Sequence, residues 1–279
     1  MHNGRGVSAG LFCGNRSSRC WKRIKADALI CVDYKHNDKY YCAISKTTNI
    51  NAYFCVMITE RDNIYAALSC DIVDSTSLTE SGIFELRDKI EECFHDIQFY
   101  GYEFWGRVVK GDYIECLFKN PKEVLRAALA LKCYIKYIMY DFGASLAAVR
   151  YGMRSSIGIG SMRIVNEKRD IMDGEAIYCA GRNLSLLSKR QFAVADVRTV
   201  EKNMSDILSM NYILIDEWIN EISPKQAIVV YHKLLGMSEV GIANLYNLSQ
   251  PAVNLRSKSA KWDMIEETVK RWENFKGYV

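Results

Sequence analysis

Asp71 and Asp112 are the side chains of this sequence most suited to doing chemistry. Asp71 ends the apolar run Ile64-Tyr65-Ala66-Ala67-Leu68-Ser69-Cys70, and Asp112 follows Lys110-Gly111 between two further apolar runs. Hard divalent cations prefer oxygen ligands, and phosphoryl-transfer sites place two such ions about 3.5–4 Å apart. Two aspartates delivered by neighbouring strands would hold Mg2+ or Mn2+ there, with a nucleoside triphosphate. Backbone amides of residues 72–78 would face its phosphates; Thr76, Ser77 and Lys110 complete the expected nucleotide-binding set. Each aspartate also has an ordinary local role, Asp71 capping a helix and Asp112 making a hairpin turn. Spacing alone leaves both readings open.

A second chemistry lies near the C-terminus. Ser238 is a good N-cap before Val240, Ile242, Ala243 and Leu245, Asn247 suits a left-handed turn, and Ser249 caps a further helix with Pro251 in its first turn. Val253 and Ala260 would face inward, with Ser257 a weak member of that face. Gln250, Asn254, Arg256, Lys258 and Lys261 would remain outward. Gln and Asn can bond adenine edges, Arg can bond guanine or phosphate, and Lys can neutralise phosphate. This is the pattern of a helix-turn-helix whose last helix enters the major groove. A helical hairpin used only for packing is the alternative.

The elements that must position these residues follow from periodicity. Residues 64–70 read as a buried strand, 82–99 as an amphipathic helix, 104–109 and 113–118 as a hairpin, and Pro121 to about Met139 as a helix. Residues 154–160 and 192–195 read as strands and 175–189 as a helix. The order β-α-β-β-α-β-α-β predicts an α+β fold, a ferredoxin-like palm sheet with helices on one face. A small all-α helix-turn-helix domain follows. The expected division is an N-terminal extension at 1–60, disordered or arising from a start assigned too far upstream. A palm domain at 61–200, a linker at 201–222 and the helical domain at 223–279 follow. Trp262, Ile265, Val269 and Trp272 form a final stripe, read as core or as a dimer seam.

Composition narrows the classes. Hydrophobic residues make up 49% and charged residues 25% of 279, which fits a globular protein. No apolar run reaches the roughly 18 residues of a membrane span, and no signal peptide is evident. A soluble, cytoplasmic protein is expected. The ten cysteines include no C-x-x-C pair and are read as reduced thiols. Four histidines without ligand spacing argue against zinc. Net charge is +5 over residues 1–60, −4 over 61–222 and +3 over 223–279. An acidic middle and a basic end suit a DNA-contacting tail.

Residues 64–195 resemble a class III nucleotidyl cyclase domain. The resemblance is carried by Cys70-Asp71-Ile72-Val73-Asp74-Ser75-Thr76-Ser77-Leu78-Thr79-Glu80, Val108-Val109-Lys110-Gly111-Asp112, Arg154-Ser155-Ser156-Ile157-Gly158-Ile159-Gly160 and Gly174-Glu175-Ala176-Ile177-Tyr178-Cys179-Ala180-Gly181-Arg182. It implies metal binding by Asp71 and Asp112, and a catalytic, phosphate-stabilising role for Arg182. It also implies a homodimer, because such sites form between two chains. The ribose-reading Asn of the family is replaced by Tyr178 and the base-reading Lys by Val108. At the position of the base-reading Asp stands Ile171, with Asp170 and Asp173 nearby. Metal ligands are thus retained while substrate readers are altered.

Ser238–Trp262 resembles the helix-turn-helix of sigma-factor region four. The combination, over about residues 57–265, resembles the SatD family of bacterial proteins. The expected function is a DNA-binding regulator with a sensor domain for a nucleoside triphosphate or cyclic nucleotide. The alternative is an active cyclase or nucleoside-triphosphate-processing enzyme.

Overall fold

The computed structural model describes residues 19–25, 28–35 and 38–45 by their backbone, together with residues 64–109, 111–187, 195–199 and 202–278. The chain divides into two units, Met1–Asp62 and Asn63–Val279. In the first unit β1 (Arg19–Lys25), β2 (Ala28–Lys35) and β3 (Asp38–Ser45) form an antiparallel meander in the order β1-β2-β3. Residues 19–45 therefore hold a small sheet where the sequence pattern shows no clear period.

The second unit begins with β4 (Ile64–Ile72), α1 (Glu80–Phe99), β5 (Phe104–Val109), β6 (Tyr113–Phe118) and α2 (Val124–Asp141). It continues with α3 (Leu146–Tyr151), β7 (Met153–Asn166), β8 (Ile171–Gly174), α4 (Glu175–Leu187) and β9 (Ala195–Thr199). The last helices are α5 (Lys202–Glu221), α6 (Pro224–Leu234), α7 (Glu239–Leu245), α8 (Gln250–Ser259) and α9 (Trp262–Glu273). The sheet order is β5-β6-β4-β7-β8, with β9 parallel to β7. β4 is central and antiparallel to both β6 and β7. This is the α+β layout expected from the order of the elements, with α3, β8 and α5 added. Helices cover both faces of the sheet, however, and not the one face expected, because α1 and α2 pack on the side of Leu68 and Cys70 while α4 packs on the side of Ala67.

Side chains alternate along β4. Ala66, Leu68, Cys70 and Ile72 enter the main core, whereas Ala67 joins Leu117, Met162, Ala176 and Ala180 in a smaller cluster beneath α4. The main core is filled by α1 through Leu86, Ile90, Cys93, Phe94 and Ile97, and by α2. Thr79 caps α1, accepting from the Gly82 amide at 3.2 Å. Cys70, Cys93, Cys116 and Cys133 are buried free thiols and Cys179 is half-buried; the other five cysteines lie where no side chain is described.

The stretch 201–222, read as a linker, is largely the helix α5. It buries Leu208, Tyr212, Ile215 and Ile219 against the core, and its Asp216 pairs with Lys132 of α2 at 2.5 Å, both side chains 1% exposed. The helices beyond it share that core through Ile228, Tyr231, Leu235, Ile265, Val269 and Trp272. Among the described residues no helix is long and apolar enough to cross a membrane.

Candidate functional site

The two aspartates meet at one end of the sheet. Asp71 is the penultimate residue of β4, with Tyr113 of β6 opposite on one side and Arg154 of β7 on the other. Asp112 sits in the β5–β6 turn, where its carbonyl accepts from the Ile72 amide at 3.3 Å. Residue types at strand ends made these positions legible; the β4–β6 pairing brings them together. Ser75 fixes the second carboxylate, its Oγ donating to Asp112 Oδ2 at 2.5 Å. Ser75 is buried within a turn of 3-10 helix at Ser75–Ser77, preceded by Asp74 in the left-handed region. Thr76 and Ser77 are exposed beside it, Ser77 donating to the Asp74 carbonyl at 2.7 Å. Lys110 lies outside the described residues.

Burial pushes the Asp71 carboxyl above the ordinary carboxylate range; Arg154 opposes that shift and the negative charge of Asp112 adds to it. Arg154 donates to Asp71 Oδ2 across the β4–β7 pair. Neither Ser75 nor Arg154 is among the site residues expected from the sequence. Their partners are set by turn geometry and strand register, which spacing along the chain does not display.

The donor set bears directly on a cation. Among the described residues, no group of three or more His, Cys, Asp or Glu is placed to hold a metal. Two carboxylates at one strand end fit instead a Mg2+ that arrives with phosphate oxygens as its other ligands.

Among the described residues Arg182 makes no hydrogen bond or ion pair with Asp71 or Asp112, which are held instead by Arg154 and Ser75. Arg182 lies on α4, which crosses the sheet because Gly158 and Gly160 of β7 have no side chains to hold it off. Gly181 faces the Tyr113 hydroxyl on the β6 side. Arg182 opens on the β9 side, in a cleft of about 380 Å³ with Glu175, Tyr178, Cys179, Asn183, Arg198 and Thr199. Its guanidinium lies 5.3 Å from the Tyr178 ring centroid, and the Tyr178 hydroxyl donates to Asp173. Tyr178 is thus a platform for Arg182, tied to the strand before the helix.

The C-terminal helices carry the second candidate surface. Ser238 and Ser249 cap α7 and α8 by accepting from the Gly241 and Ala252 amides at 3.1 and 3.4 Å. Asn247 takes the left-handed conformation between them. Val229, Ile242, Ala243 and Val253 form their shared core, while Ser257 and Ala260 are also buried. Gln250, Lys258 and Lys261 are exposed and Arg256 is half-exposed. Asn254 departs from the expected outward set. It is half-exposed like Arg256, but it donates to both Glu239 carboxylate oxygens at 3.1 and 3.4 Å, tying α8 to α7. Glu239 also accepts from Lys233 at 2.9 Å, and that bond is the main reason its carboxyl lies below its usual range. The final stripe Trp262, Ile265, Val269 and Trp272 is core.

No protein-family model and no curated protein matches the chain. It is similar to the solved structure of a bacterial light-regulated adenylyl cyclase, at 16% identity and a TM-score of 0.33, over 48% of this chain and 75% of that one. It is also similar to the guanylyl cyclase Cya2, at 17% identity and a TM-score of 0.33, over 44% and 70% of the two chains. A further bacterial light-regulated adenylyl cyclase structure gives 15% identity and a TM-score of 0.36, over 48% of this chain and 42% of that one.

Proposed function

We propose that this chain is a DNA-binding regulator whose α+β unit senses a nucleoside triphosphate carried with Mg2+ or Mn2+. The observation that carries the reading is the convergence of Asp71 and Asp112 on one sheet end, with Ser75 orienting the second carboxylate. When bound, the cation would neutralise the triphosphate oxygens; Asp71 and Asp112 would hold it, with Thr76 and Ser77 beside the phosphates. Arg182 opens on the β9 side, with β7 between β9 and the strand of Asp71, so a phosphate contact by Arg182 at this site is expected to come from a second copy of the chain. That geometry supports a homodimeric arrangement. Binding without turnover is the expected behaviour. Tyr178, engaged with Asp173 and Arg182, and Val108, 9% exposed, stand where ribose and base would be read. The DNA surface would be Gln250, Arg256, Lys258 and Lys261, at the end of the chain with positive net charge.

Thermal unfolding with ATP, GTP, CTP or UTP, each with and without Mg2+ or Mn2+, tests the sensor. A ligand at 100 times its Kd adds about 2.7 kcal/mol to stability. A rise in Tm that needs both metal and one triphosphate, and is absent in Asp71→Asn/Asp112→Asn, is expected. No rise with any combination, or an equal rise in the double variant, would remove the sensor from the proposal.

A further inference from the structure

We infer that Arg154 is a phosphate-exchanging gate on this site. It holds Asp71 when no phosphate is bound, and gives its guanidinium to the polyphosphate when metal and phosphate bind together. The inference rests on reading Asp71 and Asp112 as metal ligands.

Arg154 stands directly opposite Asp71 in the β4–β7 register. The two side chains therefore share one sheet face and one strand end. Both remain open to solvent, at 29% and 27% exposure, so the pair is not sealed in the core like Lys132 and Asp216. Its hydrogen bonding is one-pronged: a single Nη2–H reaches Asp71 Oδ2. A guanidinium offers five donors in a flat fork that suits phosphate bidentately. Here Nε is buried without a hydrogen-bond partner among the described residues. The ion pair with Asp71 thus leaves donors of the fork unused.

Guanidinium and divalent cation compete for the same carboxylate. A cation on Asp71 is repelled by Arg154 unless Arg154 gains another anion, and the polyphosphate supplies it. The site would consequently reject free metal and accept metal with phosphate. A merely structural ion pair would stabilise the β4–β7 edge without distinguishing the two.

Mn2+ binding followed by electron paramagnetic resonance, using Mn2+ alone and Mn2+ with inorganic tripolyphosphate, separates these cases. Arg154→Met is expected to bind free Mn2+ about tenfold more tightly than the wild type. The same variant should bind the Mn2+–tripolyphosphate complex about tenfold more weakly. Arg154→Lys keeps the charge and loses the fork. It should retain weak binding of free Mn2+ and recover only part of the affinity for the complex, so it tests the inference even if Arg154→Met folds poorly. If both variants change both affinities by less than about twofold, Arg154 is structural and the gate is refuted. If the wild type fails to bind the complex, or Asp71→Asn/Asp112→Asn binds it equally, the metal-site reading itself falls and the gate with it.

Discussion

Arg256 and Lys258 are the residues on which the proposed binding of DNA turns, and Asn254 is not their equal. Arg256 and Lys258 lie near the C-terminal end of α8, with their side chains exposed or half-exposed, whereas both prongs of Glu239 already hold the Asn254 amide. Replacing Arg256 and Lys258 together by Ala should weaken DNA binding and flatten the slope of log K against log salt by about 0.9 for each phosphate no longer neutralised. Asn254→Ala should instead cost on the order of 1 kcal/mol of stability and leave the preferred DNA sequence unchanged. Salt-dependent fluorescence anisotropy alongside thermal unfolding reads both effects. Undiminished DNA binding by the double variant would remove the DNA claim. Residue type and strand-end position singled out Asp71 and Asp112 as candidates, while leaving open whether they cap and turn the chain or share a site; their common sheet end is set by the β4–β6 pairing. Neither signal located Ser75 or Arg154, whose roles depend on a partner 37 or 83 residues away.

Packing of α4 on the sheet determines where Arg182 opens. The approach is nearly backbone on backbone. A Cβ on Gly158 would come within 2.1 Å of the Ala176 carbonyl oxygen and 2.4 Å of the Ala180 nitrogen. Gly158→Ala must therefore push helix and strand apart. Its cost should lie at or beyond the upper end of the usual overpacking range of about 1–3 kcal/mol. Gly181→Ala is the matched control on the same helix, since the nearest atom to its Cβ would be the Tyr113 hydroxyl oxygen at 3.7 Å. Helix propensity should make that change neutral or stabilising by up to about 1 kcal/mol. Denaturant midpoints of the two variants check the contrast; equal midpoints would mean that α4 does not sit this close to β7. The strongly periodic segments were legible in the sequence, and α1, β5, β6 and α4 stand within two residues of their expected limits. α5 was not, for a physical reason. Its buried stripe Leu208, Tyr212, Ile215 and Ile219 is masked in the sequence, because Ile207, Met210 and Leu214 are apolar yet exposed while Ser205, Asp216 and Asn220 are polar yet buried.

At the scale of the whole second unit, α2 decides how many independently stable parts there are. Thirteen of its 18 residues are buried, which marks a helix covered on all sides rather than one lying on a surface. One side meets the sheet, and another meets the C-terminal helices. Tyr134 packs on Tyr231 with ring centroids 4.8 Å apart. Arg126 binds both Glu273 oxygens and the Leu234 carbonyl. The Trp272 indole donates to the Pro121 carbonyl at 3.3 Å, and the Trp218 indole to that of Ala260 at 2.9 Å. The expected division at 222/223 falls inside one unit, Asn63–Val279. Ser223 does start a helix, with a capping box to Gln226, but a helix start is a local signal and does not report what the helix packs on. Removing residues 223–279 would uncover the outer side of α2 and leave Arg126 without its carboxylate. A chain ending at Ile222 is therefore expected to aggregate or to lose cooperative unfolding, whereas residues 63–279 should unfold in a single transition. Size-exclusion chromatography and calorimetry of the two chains decide this. A monodisperse chain ending at Ile222 with a Tm within a few degrees of the longer one would show that α2 needs no cover. In that event the halves proposed to bind nucleotide and DNA would be separable bodies, and any influence of one proposed ligand on the other would have to travel by a route other than this shared helix.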